Sequence, residues 1–408
     1  MANVLFTNLT LLDPVKGRLL SGYQVLVEGN RIAKVEKGRI RAKAKTIDCG
    51  GRTLMPGLID CHNHISVQGL ARPQTMLPSL DTAHALSTLG TMLQRGFTTL
   101  RDCAGADLGH KQAIEKGLFP GPRLFVSGRR ISQTGGHSDP RVHADMRALC
   151  ECLPPGGGTG RVADGVDGIR RAIRDEVRLG ADQIKIMAGG SVASAAEPIG
   201  QLQYSMEELR AAADEATRLN IYVAAHAYTD EQIRRCVEAG MRTIEHGNLL
   251  SESTAKMMAA RGAYLVPTLV TFHLVEKYGP SIGFTDEQMG KCRYVRAAGA
   301  RSLDIAKRAG VKMAYGTDIT YWQQHQGEEF LVRAEVLPSA DLIRSATVVG
   351  AEVVGLAGKL GVIAPGAFAD LLVIDGDPFA DLGLFQDQGR HMSLIMANGR
   401  IAKNTLRN

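Results

Sequence analysis

The chain has 408 residues, of which 44% are hydrophobic and 22% are charged, so it can bury a sizeable core and is not a disordered protein. Lysine and arginine number 48 against 42 acidic residues, and the net charge of +6 is spread without a long block of one sign. This distribution predicts no nucleic-acid partner. A chain of this length usually divides into one large domain and a smaller one.

The cysteines are seven in number, dispersed, and include no C-x-x-C pair. Because a chain of this size does not need disulfides, this usage predicts a reducing, cytoplasmic location. Residues 1–14 lack a basic segment followed by a long apolar core, and no run of 18 apolar residues occurs. We therefore predict neither a signal peptide nor a membrane span.

Both ends of the chain differ from its middle. Residues 1–53 and 360–408 alternate apolar and polar side chains, with Gly, Asn, Asp and Pro between the alternating runs. This pattern predicts β-strands. We predict that residues 1–56 plus 360–408 form a small β-sandwich domain from both termini, beside a domain formed by residues 57–359.

The middle of the chain alternates short apolar or β-branched runs with amphipathic segments of helical period. Eight strands are predicted: Leu54–His64, Thr98–Cys103, Arg123–Ser127, Gln183–Ala188, Ile221–Ala227, Thr243–His246, Tyr264–Thr268 and Lys312–Asp318. Several helical segments end at glycine, which relieves the left-handed conformation after a helix: Gly96, Gly180, Gly240, Gly262 and Gly310. Eight strand-then-helix repeats predict an α/β fold, a (β/α)8 TIM barrel.

Functional side chains of such barrels lie at the carboxyl ends of the strands. His62 and His64 are spaced i, i+2 on strand one, so both imidazoles face one side and form half of a transition-metal site. Further metal-competent or basic side chains lie on later strands: Lys185, His226, His246 and Asp318.

Each of these residues has an ordinary explanation by itself. A single histidine at a strand end is more often a polar core or surface residue, and Asp318 could cap the next helix. Lys185 is harder to explain in this way, because burying an unpaired ammonium within an apolar strand is costly. The coincidence of all six at corresponding strand ends predicts a metal centre.

This arrangement resembles the amidohydrolase superfamily with a binuclear metal centre, and the resemblance covers essentially the whole chain. Met55–Asp60 and Gly366–Val373 look like that superfamily's boundaries between barrel and β-sandwich. The resemblance implies two divalent metal ions, and Zn is favoured because it suits imidazole and carboxylate ligands. It assigns the ligands as follows: one ion on His62, His64 and Asp318, the other on His226 and His246, with Lys185 carboxylated to a carbamate that bridges them.

The resemblance also implies a reaction. A hydroxide that bridges two metal ions attacks a carbonyl carbon, and Asp318 acts as the base that passes a proton to the leaving amine. The expected enzyme is therefore a metal-dependent hydrolase that acts on C–N bonds of amides or peptides.

Two further features narrow the substrate class. Tyr228 lies two residues past His226, and His137 lies in the Gly-rich segment Thr134–Asp139. This combination is similar to that of prolidase-like metallo-carboxypeptidases (Xaa-Pro dipeptidases), a branch related to imidazolonepropionases. It implies catalytic and substrate-binding roles for Tyr228, which would polarise the scissile carbonyl, and for His137. A packed tyrosine and a Gly-rich surface turn are the alternative explanations.

The leading hypothesis is cleavage of the C-terminal amide bond of a dipeptide or an N-acyl amino acid. The alternatives are hydrolysis of an ochratoxin-like N-acyl phenylalanine or of a cyclic imidazolone-type amide, and a non-catalytic scaffold. The expected partner is a small-molecule substrate, with no nucleic acid and no membrane, and the resemblance implies a homo-oligomer. Arg129 and Arg130 could pair with a substrate carboxylate, but surface ion pairing is the commoner role of arginine, so neither is assigned to the site.

Overall fold

The computed structural model describes residues 3–66, 77–139, 141, 160–194 and 197–406. Cys150 and Cys152 lie outside the described residues, and the other five cysteines are free and buried.

The strands are β1 (Val4–Asp13), β2 (Arg18–Glu28), β3 (Arg31–Lys37), β4 (Lys45–Asp48), β5 (Thr53–Pro56), β6 (Leu58–Asn63), β7 (Phe97–Asp102), β8 (Arg123–Phe125), β9 (Arg130–Ser132), β10 (Gly160–Val162), β11 (Ile184–Met187), β12 (Val223–Thr229), β13 (Thr243–Leu249), β14 (Tyr264–Val266), β15 (Leu371–Ile374), β16 (Met392–Ala397) and β17 (Arg400–Asn404).

The helices follow the parallel strands for most of the chain. They are α1 (Pro78–Gln94), α2 (Leu108–Glu115), α3 (Gly165–Arg178), α4 (Met206–Arg218), α5 (Asp230–Ala239), α6 (Glu252–Arg261), α7 (Leu269–Tyr278), α8 (Asp286–Ala309), α9 (Glu328–Ala334), α10 (Ser339–Arg344) and α11 (Gly350–Val353). The five glycines predicted to follow helix ends all have positive φ, from 66° to 99°. None of the described helices is both long enough and apolar enough to cross a bilayer.

One sheet joins the two ends of the chain. Its strand order is β17-β16-β15-β5-β1-β2-β3, with β4 paired to β1. The contact between the two ends is antiparallel, with Leu371 opposite Pro56 and Ile374 opposite Thr53. Phe6 of β1 and Val373 of β15 are both fully buried in the apolar cluster on this sheet, so strands distant in sequence share one core.

Two parallel sheets lie between the chain ends, in the orders β6-β7-β8 and β10-β9-β11-β12-β13-β14. The predicted first strand, Leu54–His64, divides at Gly57 into β5 of the terminal sheet and β6 of a parallel sheet. A Cβ at Gly57 would overlap the side chain of Thr98, so only glycine fits at this passage. The structure is therefore an α/β protein with several sheets.

The predicted eighth strand is an extended segment without regular strand pairing. Within Lys312–Asp318, only Met313 forms a bridge, with Leu265. The segment nevertheless connects the two parallel sheets, because Ala314 N donates to Leu265 O and Cys61 N donates to Tyr315 O. Regular pairing fails near its end because Thr317 N and Asp318 N both donate to His62 O, and Asp318 has a φ of 53°.

Candidate active site

The six predicted ligands come together at the carboxyl ends of the parallel strands. His62 is in β6 and His64 follows it, Lys185 is in β11, His226 in β12 and His246 in β13, while Asp318 ends the extended segment. Five of them are buried: His62, His64, Lys185, His226 and His246. Asp318 keeps 22% of its side chain exposed, which leaves a way for a small molecule to reach it.

Asp318 contacts both histidines of the first strand. Its Oδ1 lies 3.0 Å from His64 Nε2 and 3.4 Å from His62 Nε2. Lys185 Nζ lies 3.4 Å from the same Nε2 of His62. One ligand atom each of His62, His246 and Asp318 lies within 4.8 Å of the others, which is close enough for a shared metal ion.

The two remaining histidines lie against each other, with ring centroids 4.6 Å apart. His226 Nε2 lies 3.1 Å from Gly190 O, and His246 Nδ1 lies 2.7 Å from Thr268 Oγ1. Within the described part of the chain, the other ring nitrogen of each histidine makes no hydrogen bond. Each imidazole is therefore oriented by one nitrogen and has the other free for a metal ion.

Burial sets the charges of these groups. Burial, assisted by the charge of Lys185, lowers the pKa of His62 to about 4 and that of His226 to about 3, so both rings are neutral near pH 7. Burial also lowers the pKa of Lys185. Burial raises the pKa of Asp318, but its contacts with His62 and His64 outweigh that effect and hold the pKa below its ordinary value. Neutral imidazoles and an ionised carboxylate are the forms that bind divalent metals.

A buried ion pair between Arg101 and Glu245, which the sequence analysis missed, holds the ring of the predicted ligand His62. Glu245 Oε2 lies 2.7 Å from His62 Nδ1, and Arg101 NH2 donates to Glu245 Oε1 over 2.7 Å. Both side chains of this ion pair are fully buried. Each of the two gave a signal in the sequence, because it is a charged residue within a predicted strand of the barrel, as Lys185 is.

Tyr228 and His137 lie beside the ligand cluster. The ring of Tyr228 is 4.7 Å from His226 and 5.0 Å from His246, and the ring of His137 is 4.9 Å from His226. His137 Nδ1 is buried without a hydrogen bond and lies 3.8 Å from Glu197 Oε2. The structure therefore brings together all eight residues that the sequence analysis selected.

Residues 53–402 match the model of the amidohydrolase family, and the chain belongs to that family. It is 30% identical over 368 residues to ochratoxinase of Aspergillus niger, an alignment that covers 86% of this chain and 75% of that protein. The crystal structure of an amidohydrolase has a TM-score of 0.97 at 48% identity and covers 99% of this chain and 100% of that one. That of a prolidase complexed with N-methylphosphonate-L-proline has a TM-score of 0.96 at 44% identity, with coverages of 98% and 100%.

These similarities define the chemistry in outline. The family and its prolidase and ochratoxinase members identify the chain as a hydrolase that acts on amide bonds. Such enzymes act on small molecules, and members of the superfamily generally bind divalent metals. The cluster of His62, His246 and Asp318 agrees with that requirement.

Proposed function

We propose that this amidohydrolase is a metal-dependent carboxypeptidase or dipeptidase that cleaves the C-terminal amide bond of dipeptides or N-acyl amino acids. The observation that carries the proposal is the position of Tyr228 and His137 against His226, at the edge of the ligand cluster. The 44% identity to a prolidase that binds N-methylphosphonate-L-proline supports it.

We propose the (β/α)8 barrel for residues 57–359 and a β-sandwich for residues 1–56 plus 360–408. The bonds from Ala314 to Leu265 and from Cys61 to Tyr315 support closure of the two parallel sheets into one barrel. The antiparallel pairing of β5 with β15 supports one domain made from both termini.

The donor set fits two divalent ions, for which Zn is the favoured identity. His62, His64 and Asp318 would hold one, His226 and His246 would hold the other, and a carbamate on Lys185 would bridge them. The fit rests on the orientation of the imidazoles, which are bonded at their outer nitrogens to Glu245, Ala104 O, Gly190 O and Thr268. The lowered pKa of buried Lys185 favours the uncharged amine, the form that carbon dioxide carboxylates. Bound in this way, the ions would lower the pKa of a shared water and polarise the scissile carbonyl.

The chain's own side chains would move the protons. Asp318, ionised and partly exposed, accepts a proton from the attacking water and delivers it to the leaving nitrogen. Burial raises the pKa of Tyr228, so its phenol keeps the proton that it donates to the carbonyl oxygen. Burial lowers the pKa of His137, so this residue approaches the substrate as a neutral hydrogen-bonding group.

An ochratoxin-like N-acyl phenylalanine is the second candidate substrate, and the 30% identity to ochratoxinase favours it. Both candidates carry a free carboxylate on the leaving amine, and they differ in the size and chemistry of the acyl group. A cyclic imidazolone lacks that carboxylate and ranks below them. We also propose that the protein forms a homo-oligomer.

The discriminating experiment measures kcat/KM of the metal-loaded enzyme on a library of dipeptides, N-acyl amino acids, N-aroyl phenylalanines and cyclic imidazolones. We expect the dipeptides and simple N-acyl amino acids to give the highest values. Preferential turnover of N-aroyl phenylalanines would select the second candidate. Turnover of none of the C-terminal carboxylates would refute the proposal, and turnover of the cyclic imidazolones alone would select the third candidate.

A further inference from the structure

Arg130 lies on the inner face of its strand. It begins β9, and the next residue, Ile131, pairs with Ile186 of β11. Ile131 and Ile186 are both fully buried in the apolar cluster formed with the surrounding helices. Because side chains alternate along a strand, Arg130 and Lys185 share the opposite face, on which the ligand cluster lies.

The guanidinium of Arg130 has no acidic partner in the described part of the chain. Its Nε is buried without a hydrogen bond, and no carboxylate of the described residues lies within ion-pair distance of it. The neighbouring Arg129 is different, since its NH2 lies 2.9 Å from Glu176 Oε1. Arg130 is half-buried, with its Nε enclosed and its terminal nitrogens not fully enclosed, so the unpaired guanidinium can receive an anionic partner from outside the chain.

The charge of Arg130 also influences the titratable groups of the candidate site. Burial lowers the pKa of Arg130, while the carboxylates of Asp318 and Asp102 raise it. Burial is also the main cause of the lowered pKa of His137, and His226 and Arg130 add to that effect. The charge of Arg130 therefore acts on Asp318 and His137, which agrees with its place on the strand face that it shares with Lys185.

We propose that Arg130 binds the C-terminal carboxylate of the substrate and thereby determines that the enzyme removes a terminal residue. This inference rests on the proposed function, which requires a free carboxylate next to the scissile amide. A planar guanidinium can hold both carboxylate oxygens at once, which orients the substrate as well as attracting it. The same contact discriminates against peptides that continue beyond the cleaved bond, because they leave the guanidinium without a counter-charge.

The test compares one good dipeptide substrate as the free acid and as its C-terminal carboxamide, in wild type, Arg130→Gln and Arg130→Lys. We expect wild type to prefer the acid by about 100-fold or more in kcat/KM. Arg130→Gln should lose most of that preference, mainly through KM, and should bind the product amino acid more weakly. Arg130→Lys, which keeps the charge without the planar fork, should fall between them.

Arg129→Gln is the matched control, because Arg129 is the adjacent arginine but already has an acidic partner in Glu176. This variant should keep the preference for the acid. Thermal melting and metal content identify a misfolded variant. If Arg130→Gln does not fold, the ratio of kcat/KM for the acid to kcat/KM for the carboxamide in Arg130→Lys decides the question. A preference for the acid that is unchanged in the folded Arg130 variants overturns the inference while the proposed function stands. Failure of wild type to hydrolyse the acid overturns both.

Discussion

Glu245 holds His62 by a hydrogen bond of 2.7 Å between its Oε2 and the Nδ1 of the ring, and Arg101 binds the same carboxylate from the other side. This contact fixes the tautomer of His62 and directs its Nε2 towards Asp318 and Lys185. Glu245→Gln keeps the shape and removes the charge. We expect this change to weaken metal affinity about 10- to 100-fold and to destabilise the fold by about 3–5 kcal/mol, because it leaves Arg101 buried without its partner.

Metal content after dialysis and denaturant unfolding measure these two effects. Glu252→Gln is the control, since Glu252 is 62% exposed and pairs with a surface arginine. A Glu245→Gln protein with wild-type affinity and stability would show that the ion pair does not support the ligand.

Asp318→Asn tests the assignment of the base. An amide cannot accept the proton of the attacking water, so kcat should fall by about 100- to 10,000-fold. Because Asp318 also contacts His62 and His64, metal content is measured on the same sample, and the rate is expressed per loaded site. Asp304→Asn, on the exposed face of α8, is the control. An unchanged hydrolysis rate in loaded Asp318→Asn would remove the assignment.

Tyr228→Phe tests the proposed donor to the carbonyl oxygen. The phenyl ring can keep the packing against His226, His246 and Phe272, so folding and metal binding should be preserved. The loss of one hydrogen-bond donor to developing charge should lower kcat by about 100- to 1,000-fold with a smaller change in KM. Tyr294→Phe, at a side chain exposed on α8, should change neither. Equal kcat in Tyr228→Phe and wild type would leave the tyrosine a packing residue.

The buried carboxyl of Glu329 should make the stability of the protein depend on pH, independently of catalysis. Burial raises its pKa from 4.5 to about 8, in spite of the attraction of Arg333 and a hydrogen bond from Val270 N. Between these two pH values the folded protein binds more protons than the unfolded chain, so the free energy of unfolding falls as pH rises. The stability conferred by the protonated carboxyl is complete below pH 4.5 and is lost as pH rises towards 8.

The measurement is the free energy of unfolding at pH 5 and pH 8 in wild type and Glu329→Gln. We expect the free energy of unfolding of the wild type to fall by roughly 3 kcal/mol more than that of the variant between pH 5 and pH 8. Glu328→Gln, at the neighbouring residue with 41% exposure, should follow the wild type. Parallel pH profiles for wild type and Glu329→Gln would contradict the raised pKa.

The residues of the candidate site could be predicted from the sequence where the side-chain type is unusual for its position in a strand. His62 lies near the end of a short apolar strand and Lys185 lies within another, and a histidine or a lysine at such a position needs a specific explanation. The pairing of Arg101 with Glu245 crosses 144 residues of sequence, so the two signals exist but their contact depends on the fold. The unpaired state of Arg130, against the paired state of Arg129, likewise depends on where distant carboxylates lie.

Element prediction failed where the usual periodicity is missing. Helix α7 has no clear helical pattern of apolar and polar residues, because most of its side chains are buried, including Leu269, Phe272 and Val275. The eighth strand was predicted from its apolar residues, but the backbone at Thr317 and Asp318 turns both N–H groups towards His62 O. That turn directs Asp318 to the histidines, and a hydrophobicity pattern does not encode it.

We propose that hydrolysis requires two metal ions, held by His62, His64, Lys185, His226, His246 and Asp318. The most direct test is a Zn²⁺ titration of the metal-depleted enzyme, monitored by hydrolysis of its best dipeptide or N-acyl amino acid. We predict no activity before metal is added and full activity as the second equivalent per chain binds. Full hydrolysis by the metal-depleted enzyme, or saturation at one equivalent, would show that these residues do not hold two ions required for catalysis.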